Sequence, residues 1–221
     1  MHNVRIPLIA GLAMACLVLA GCSSKVADTS QYSGFLPDYS HLKPEKSASG
    51  VQTLRWVSPD YQSAKYNAIH YTPAVYYPAA KPTARVSQQT LDQIRAYLDQ
   101  TLKAAVARHK PLVNHAGRGT LELKTAITAV NAENQDMKFY EVVPIAAVVA
   151  STMAASGHRT QNSVLFLEMQ LVDSQTGKPV MEAVRKAYGN TVPNNNAPIT
   201  LTQLKSGIDQ MVSDVVNFPD K

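Results

Sequence analysis

The chain has 221 residues, 45% of them hydrophobic and 17% charged, with a formal net charge of +5. That length can bury a sizeable core in one domain, or in one domain with an arm. Lys and Arg are scattered singly, without the run of five or six that a nucleic-acid footprint needs, so the mild basic excess reads as solvated surface and nucleic acid is not expected as a partner.

Arg5 supplies a short positive region, and residues 6–19 are dominated by apolar side chains, interrupted mainly by Pro7 and Gly11. This run is shorter than the roughly 20 residues of a membrane-spanning helix and has the length of a signal-peptide core. Small residues at Ala20 and Gly21 suit the tight subsite of a signal peptidase, and Cys22 offers the thiol that a diacylglycerol thioether requires. Leu19-Ala20-Gly21-Cys22 resembles the bacterial lipobox over its full length, the alternative being a secretory signal that happens to end in Cys. The resemblance implies that residues 1–21 are removed and that the mature chain begins at lipidated Cys22 with two or three acyl chains. At ~0.8 kcal/mol per buried methylene, two chains anchor stably where one is marginal. In Gram-negative lipoproteins an Asp after the Cys retains the protein in the inner membrane. Ser23 stands at that sorting position and implies the outer membrane, with the domain facing the periplasm. Cys16 is lost with the signal, which leaves Cys22 as the only mature cysteine and rules out an intrachain disulfide or a cysteine-based metal site.

Residues 22–31 are small and polar, a spacer between lipid and domain. From 32 to 85 the chain changes character and reads as an aromatic-rich extended arm, beginning with Tyr32-Ser33-Gly34-Phe35-Leu36-Pro37-Asp38-Tyr39-Ser40. Within it, residues 51–57 and 69–77 have the composition of strands, and Pro59, Pro73 and Pro78 suit edges and turns. The ring-bearing positions there carry two readings. They cover a sheet, or Trp56, Tyr61, Tyr66 and Tyr71 form a stacking platform for a glycan or another small ligand.

Residues 86–221 read as an α+β domain. A helix is predicted over 87–109, with Ser87 as N-cap, Leu91, Ile94, Leu98, Leu102, Ala105 and Val106 on one face, and Pro111 stopping it. Gly117-Arg118-Gly119 follows a helix and opens a strand, the reverse of a dinucleotide fingerprint, so it reads as a turn. Leu121, Leu123 and Ile127 alternate with polar neighbours as a half-buried strand over 120–130. Residues 142–155 are almost entirely small and apolar, with Pro144 suited to a first helical turn, and are expected to form a buried or partner-facing helix. Residues 163–172 and 179–188 flank Asp173-Ser174-Gln175-Thr176-Gly177-Lys178 as a β-hairpin. That string lacks the adjacent Asp-Ser/Thr-Gly and the second carboxylate loop of an aspartic protease, so it too is a turn. A final helix over 201–216 carries Leu201, Leu204, Ile208, Met211, Val212 and Val215 on one face, with Gly207 at a close contact. The predicted architecture is a single mixed or antiparallel sheet covered on one face by about three helices.

Tyr32 to Ser40 after the lipobox, the first helix, Gly119-Thr-Leu-Glu-Leu-Lys-Thr-Ala-Ile-Thr128 and Leu171-Val-Asp-Ser-Gln-Thr-Gly177 resemble the bacterial lipoproteins grouped as domain of unknown function 3313. The resemblance implies an envelope lipoprotein and brings no catalytic residues. His41, His70, His109, His115 and His158 lack the spacing of a zinc hydrolase, and no GxSxG elbow is present. No cofactor or metal is expected. The expected function is a non-catalytic interaction or accessory module, bound to the membrane through its lipid and partnered by an envelope protein or peptidoglycan. A glycan or small-ligand binding module is the alternative, and a hydrolase a weaker one.

Overall fold

The computed structural model describes residues 32–133, 161–193 and 196–217. The predicted helix over 142–155 lies outside them. The described residues are α+β, with one mixed sheet and two helices.

The sheet contains β1 (Lys43–Lys46), β2 (Gln52–Val57), β3 (Ala68–Tyr71), β4 (Val75–Tyr76), β5 (Leu112–Val113), β6 (Thr120–Glu133), β7 (Gln161–Asp173) and β8 (Pro179–Val192). Its order is β1-β2-β8-β7-β6-β3-β5, with β4 also on β6. The neighbours from β1 to β6 along this order are antiparallel, whereas β3 is parallel to both β6 and β5. Parallel neighbours need a crossover, and α1 (Gln88–Ala107) lies in the connection from β3 to β5. Thus residues 43–76 of the aromatic-rich arm contribute four strands to the same sheet as the hairpin.

The predicted strand over 69–77 is split in two around Pro73. Pro73 has no N–H to give, and the Ala74 N–H turns instead to Asp99 Oδ1 at 2.7 Å. Register resumes when β4 pairs Val75 with Ala126 on β6. The β7–β8 turn is organised by Asp173, whose Oδ1 accepts from the backbone N–H groups of Gln175 and Thr176, while Gly177 takes φ +68°.

Both helices begin and pack as their sequences dictate. The Ser87 hydroxyl accepts from the Thr90 N–H at the start of α1, and Thr200 with Gln203 forms a capping box at the start of α2 (Leu201–Val216). Their apolar stripes meet Leu121, Leu123, Ile127, Leu165, Leu167 and Ala187 in the main core. A register shift between Ile127 and Ala129 in β6 lets Val130 and Ala132 reach that core after Leu121, Leu123 and Ile127. The α2–β8 contact brings backbones together. A Cβ at Gly207 would stand 2.6 Å from the Tyr188 carbonyl oxygen, and one at Gly189 2.1 Å from that of Gln203.

The second face of the sheet is covered as well, which coverage on one face alone did not anticipate. Leu54 and Val184 point away from the helices and pack with Tyr32, Leu36, Tyr39 and Leu42 in a separate apolar cluster. Residues 32–42 therefore dock on the sheet from the side opposite the helices.

Candidate functional site

Cys22 and Ser23, the expected lipidation and sorting positions, lie outside the described residues, and so does His158. What is described begins ten residues after Cys22, where the chain closes over the sheet. The rings of Tyr32 and Tyr39 stack with centroids 4.0 Å apart. The Tyr39 hydroxyl accepts from the N–H groups of Gly34 and Leu36 and donates to Glu168 Oε2 at 2.5 Å. The other oxygen of Glu168 accepts from the Ser33 N–H. Burial pushes the Glu168 carboxyl above the ordinary range, opposed by the bonds from Tyr39 and Ser33, while burial and the adjacent carboxylate push the Tyr39 phenol upward. One turn onward, His41 places Nδ1 3.1 Å from Asp38 Oδ2 and Nε2 2.6 Å from Glu182 Oε2. Glu182 is wholly buried, and its other oxygen accepts from Gln170 Nε2. Two carboxylates under a sheet-covering segment are thus met by donors from that segment and from the sheet, as buried charges require.

The four candidate aromatic residues fall into two separate clusters. Trp56 packs beside His41 on the arm side of the sheet, with ring centroids 4.4 Å apart. Tyr61, Tyr66 and Tyr71 belong with the main core. Tyr66 is buried, stacks with Tyr61 and donates to Asp173 Oδ2 at 2.9 Å; burial, followed by that carboxylate, pushes its phenol up to about 12. Tyr71 donates to Asp99 Oδ1 at 2.7 Å. Of the four, Tyr61 lines the cleft described next, and Tyr66 lines a separate concavity with Lys65, Arg118 and Asp173.

On the helix-facing side, a cleft of about 260 Å³ opens between the sheet and the last turns of α1 and α2. Its walls include Ile69, Val106, Leu121 and Val216, with Tyr61, His109 and Lys110 also lining it. It shares Arg55, Leu123, Leu171, Met181 and Val215 with an adjoining chamber of about 70 Å³, which Thr53, Met169, Gln170, Ala183 and Arg185 complete. Arg55 and Arg185 are only 3% and 2% exposed. Arg55 Nη1 lies 3.6 Å from Glu45 Oε2. Arg185 Nη2 donates to Asp214 Oδ2 at 2.6 Å, and that carboxylate also accepts from both hydroxyls of Ser47 and Ser49 and from the Ser49 N–H. Burial pushes the Asp214 carboxyl up, but the bonds from Arg185, Ser49 and Ser47 outweigh it and hold the group below the ordinary range. Among the described residues Arg185 Nε and Nη1 have no hydrogen-bond partner. An unsatisfied buried donor costs about 1–3 kcal/mol.

These charged residues were missed in the sequence, although one signal was available. Arg185 stands in phase with Met181, Ala183 and Ala187 on the alternation of β8, an ionic residue on an inward face. Asp214 likewise falls three residues after Met211 on the buried stripe of α2. Among the described residues no group of three His, Cys, Asp or Glu is placed to hold a metal ion, and no helix is long and apolar enough to cross a membrane.

The geometry defines an α+β protein built on one mixed sheet, carrying an N-terminal segment on one face and a cationic, mostly apolar cleft on the other. The chain belongs to the family described as Protein of unknown function (DUF3313), whose model matches residues 31–215. It is 42% identical over 217 residues to a protein of Escherichia coli strain K12 named "Uncharacterized lipoprotein YdcL", covering 97% of this chain and 98% of that one. The protein of the same name from Escherichia coli O157:H7 matches to the same degree. Among solved structures, the PelC dodecamer from Paraburkholderia phytofirmans is similar at 10% identity and a TM-score of 0.34, over 73% of this chain and 96% of that one. Protein XCC0632 from Xanthomonas campestris, of the DUF330 family, is similar at 10% identity and a TM-score of 0.40, over 72% and 86%. Likenesses this distant add nothing to the reading of the site.

Proposed function

We propose that this chain is a lipid-anchored envelope protein, held at the outer membrane through Cys22 with its domain facing the periplasm. In this reading it is a non-catalytic interaction or accessory module for another envelope component. The lipobox pattern, Ser23 at the sorting position and the name of the Escherichia coli relative support the anchor.

The observation that carries the reading is the docked segment. Because residues 32–42 are fixed to the sheet by Tyr39, Glu168, His41 and Glu182, only residues 22–31 separate the anchor from the domain. At no more than about 3.6 Å per residue, ten residues reach roughly 36 Å. The domain then works close to the membrane surface and meets partners in that layer, either a neighbouring envelope protein or peptidoglycan. Its buried carboxylates hold the segment in place, which assigns them to positioning rather than to chemistry.

Proximity cross-linking in intact cells tests the proposal. A specific protein or peptidoglycan fragment should be captured by the wild-type chain, and capture should fall when the spacer is lengthened by about twenty Gly/Ser residues. Capture no greater than that of an unrelated lipoprotein would count against it.

A further inference from the structure

The cleft beneath α1 and α2 is not used by the tether, and its chemistry is distinctive. A mostly apolar trough leads into a small chamber bordered by two buried guanidinium groups. We propose that it binds a single-chain amphiphile with an anionic head, a carboxylate or a phosphate monoester, with the head directed to Arg185 and Arg55 and the hydrocarbon laid along the trough.

Three observations lead there. The first is the unfinished coordination of Arg185. A guanidinium has five N–H bonds. Asp214 engages Nη2, whereas Nε and Nη1 have no partner among the described residues although the residue is 2% exposed. Planar N–H donors of this kind match the oxygens of carboxylate and phosphate. Both nitrogens are closed to solvent in this structure, so an incoming head group requires the guanidinium to turn toward the chamber while Nη2 keeps Asp214.

The second is the sign of the lining. Arg55, Arg185, Lys110 and His109 are among the lining residues, and the two arginines are paired with Glu45 and Asp214. Lys110 Nζ, which donates to the backbone carbonyls of Ser63 and Tyr66, adds a cation that these two carboxylates do not match. A cationic ligand is disfavoured there and an anionic one drawn in.

The third is size and polarity. Beside these cations, Leu123, Leu171, Met181 and Val215 give the walls an aliphatic and thioether surface, with Thr53, Tyr61, Ser63 and Gln170 as the further polar lining. An apolar cavity of about 150 Å³ already admits benzene, and the trough is larger at about 260 Å³. Small-molecule pockets run from about 300 to 1,000 Å³, so trough and chamber suit one hydrocarbon chain rather than the two of a diacyl phospholipid.

The test uses the full mature lipoprotein in nanodiscs of zwitterionic diacyl lipid. The probes are ten-carbon chains bearing a diazirine at the tail and ending in a carboxylate, a phosphate monoester or a neutral alcohol. Cross-linked residues are mapped by mass spectrometry. Saturable labelling of residues lining the cleft is expected from at least one anionic probe, at least tenfold above the alcohol. Carboxylate preference points to a fatty acid and phosphate preference to a lysophosphatidate, and either supports the site. Inorganic phosphate should not compete; full competition would mean a free-anion site and overturn the proposal. Ala183→Leu, which fills the chamber, should lower labelling at least fivefold with unchanged circular dichroism. Leu171→Trp, which narrows the junction with the trough, provides the same test if the first variant does not fold. Equal labelling by the alcohol, labelling no higher than on empty nanodiscs, or labelling unaffected by a folded filling variant would each overturn the assignment.

Discussion

Replacing Asp214 by Asn should be among the most damaging single changes to the domain. The carboxylate is 2% exposed and joins three elements: α2, which carries it; β8, through Arg185; and the β1–β2 turn, through Ser47 and Ser49. In Asp214→Asn an amide takes its place. Arg185 becomes a buried cation whose counter-ion is gone, and the NH₂ group faces donors. Breaking a buried ion pair from one side costs about 3–5 kcal/mol, and for a chain of this size each kcal/mol is about 2–4 °C in melting temperature, so a fall of roughly 10 °C is expected. Denaturant unfolding followed by circular dichroism measures it, with the slope against denaturant unchanged if both states keep their compactness. Removing both charges, as Asp214→Leu with Arg185→Met, should recover much of the loss, because an apolar replacement of a buried pair is often neutral. The sign with pH follows from the depressed carboxyl. Its folded value lies below the unfolded one, so its stabilisation is present above about pH 4 and is lost as pH falls through the folded value. Asp214→Asn should lack this part of the acid dependence. A single variant within about 1 kcal/mol of wild type, or additive losses in the double variant, would refute the reasoning.

Three further outcomes are expected. Gly189→Ala places a Cβ 2.1 Å from the Gln203 carbonyl oxygen and 2.4 Å from Ser163 Oγ. It should destabilise by about 1–3 kcal/mol or more in the same unfolding assay, whereas Gly117→Ala, with none of the described residues beyond its chain neighbours within 4 Å of the added Cβ, should stay within about 0.5 kcal/mol. Tyr39→Phe removes the donor to Glu168 and the acceptor of two backbone N–H groups; limited proteolysis should then cut within residues 32–42 several-fold faster, with a stability loss of about 1–3 kcal/mol. At alkaline pH the phenols of Tyr39, Tyr66, Tyr71 and Tyr76 are all raised, burial being the main cause. Their contribution is intact below about pH 10 and is lost as pH rises through the folded values, at ~1.4 kcal/mol per pH unit for each phenol still protonated in the fold. Unfolding midpoints should therefore fall steeply above about pH 10, and a flat profile would contradict the burial of these rings.

The elements that a local pattern specifies were readable from the residues. The helix from Ser87 onward, the last helix and the long hairpin each combine a clear period with caps or turn residues, and even the tight approach at Gly207 was visible as a glycine on a buried stripe. What escaped depends on residues far apart in the chain. Tyr39 meets Glu168 across 129 positions and Ser47 meets Asp214 across 167, and no period encodes such pairings. Glu168 and Glu182 alternate outward from the helix-facing core and so read as solvent-exposed, until the N-terminal segment covers that face. The strand over 69–77 was interrupted because Pro73 could not supply its share of the ladder and Asp99 offered the next N–H a better partner. The cleft was illegible for the same reason. It is bounded by strand residues and by the last turns of two helices whose relative placement only the tertiary fold sets.

The central claim is that a lipid on Cys22 holds this domain at a membrane. Fractionation of cells producing either the wild-type chain or Cys22→Ala tests it most directly. The wild type should sediment with the outer membrane and the variant should move to the soluble periplasmic fraction with its domain folded. Unchanged sedimentation of the folded variant would contradict the account.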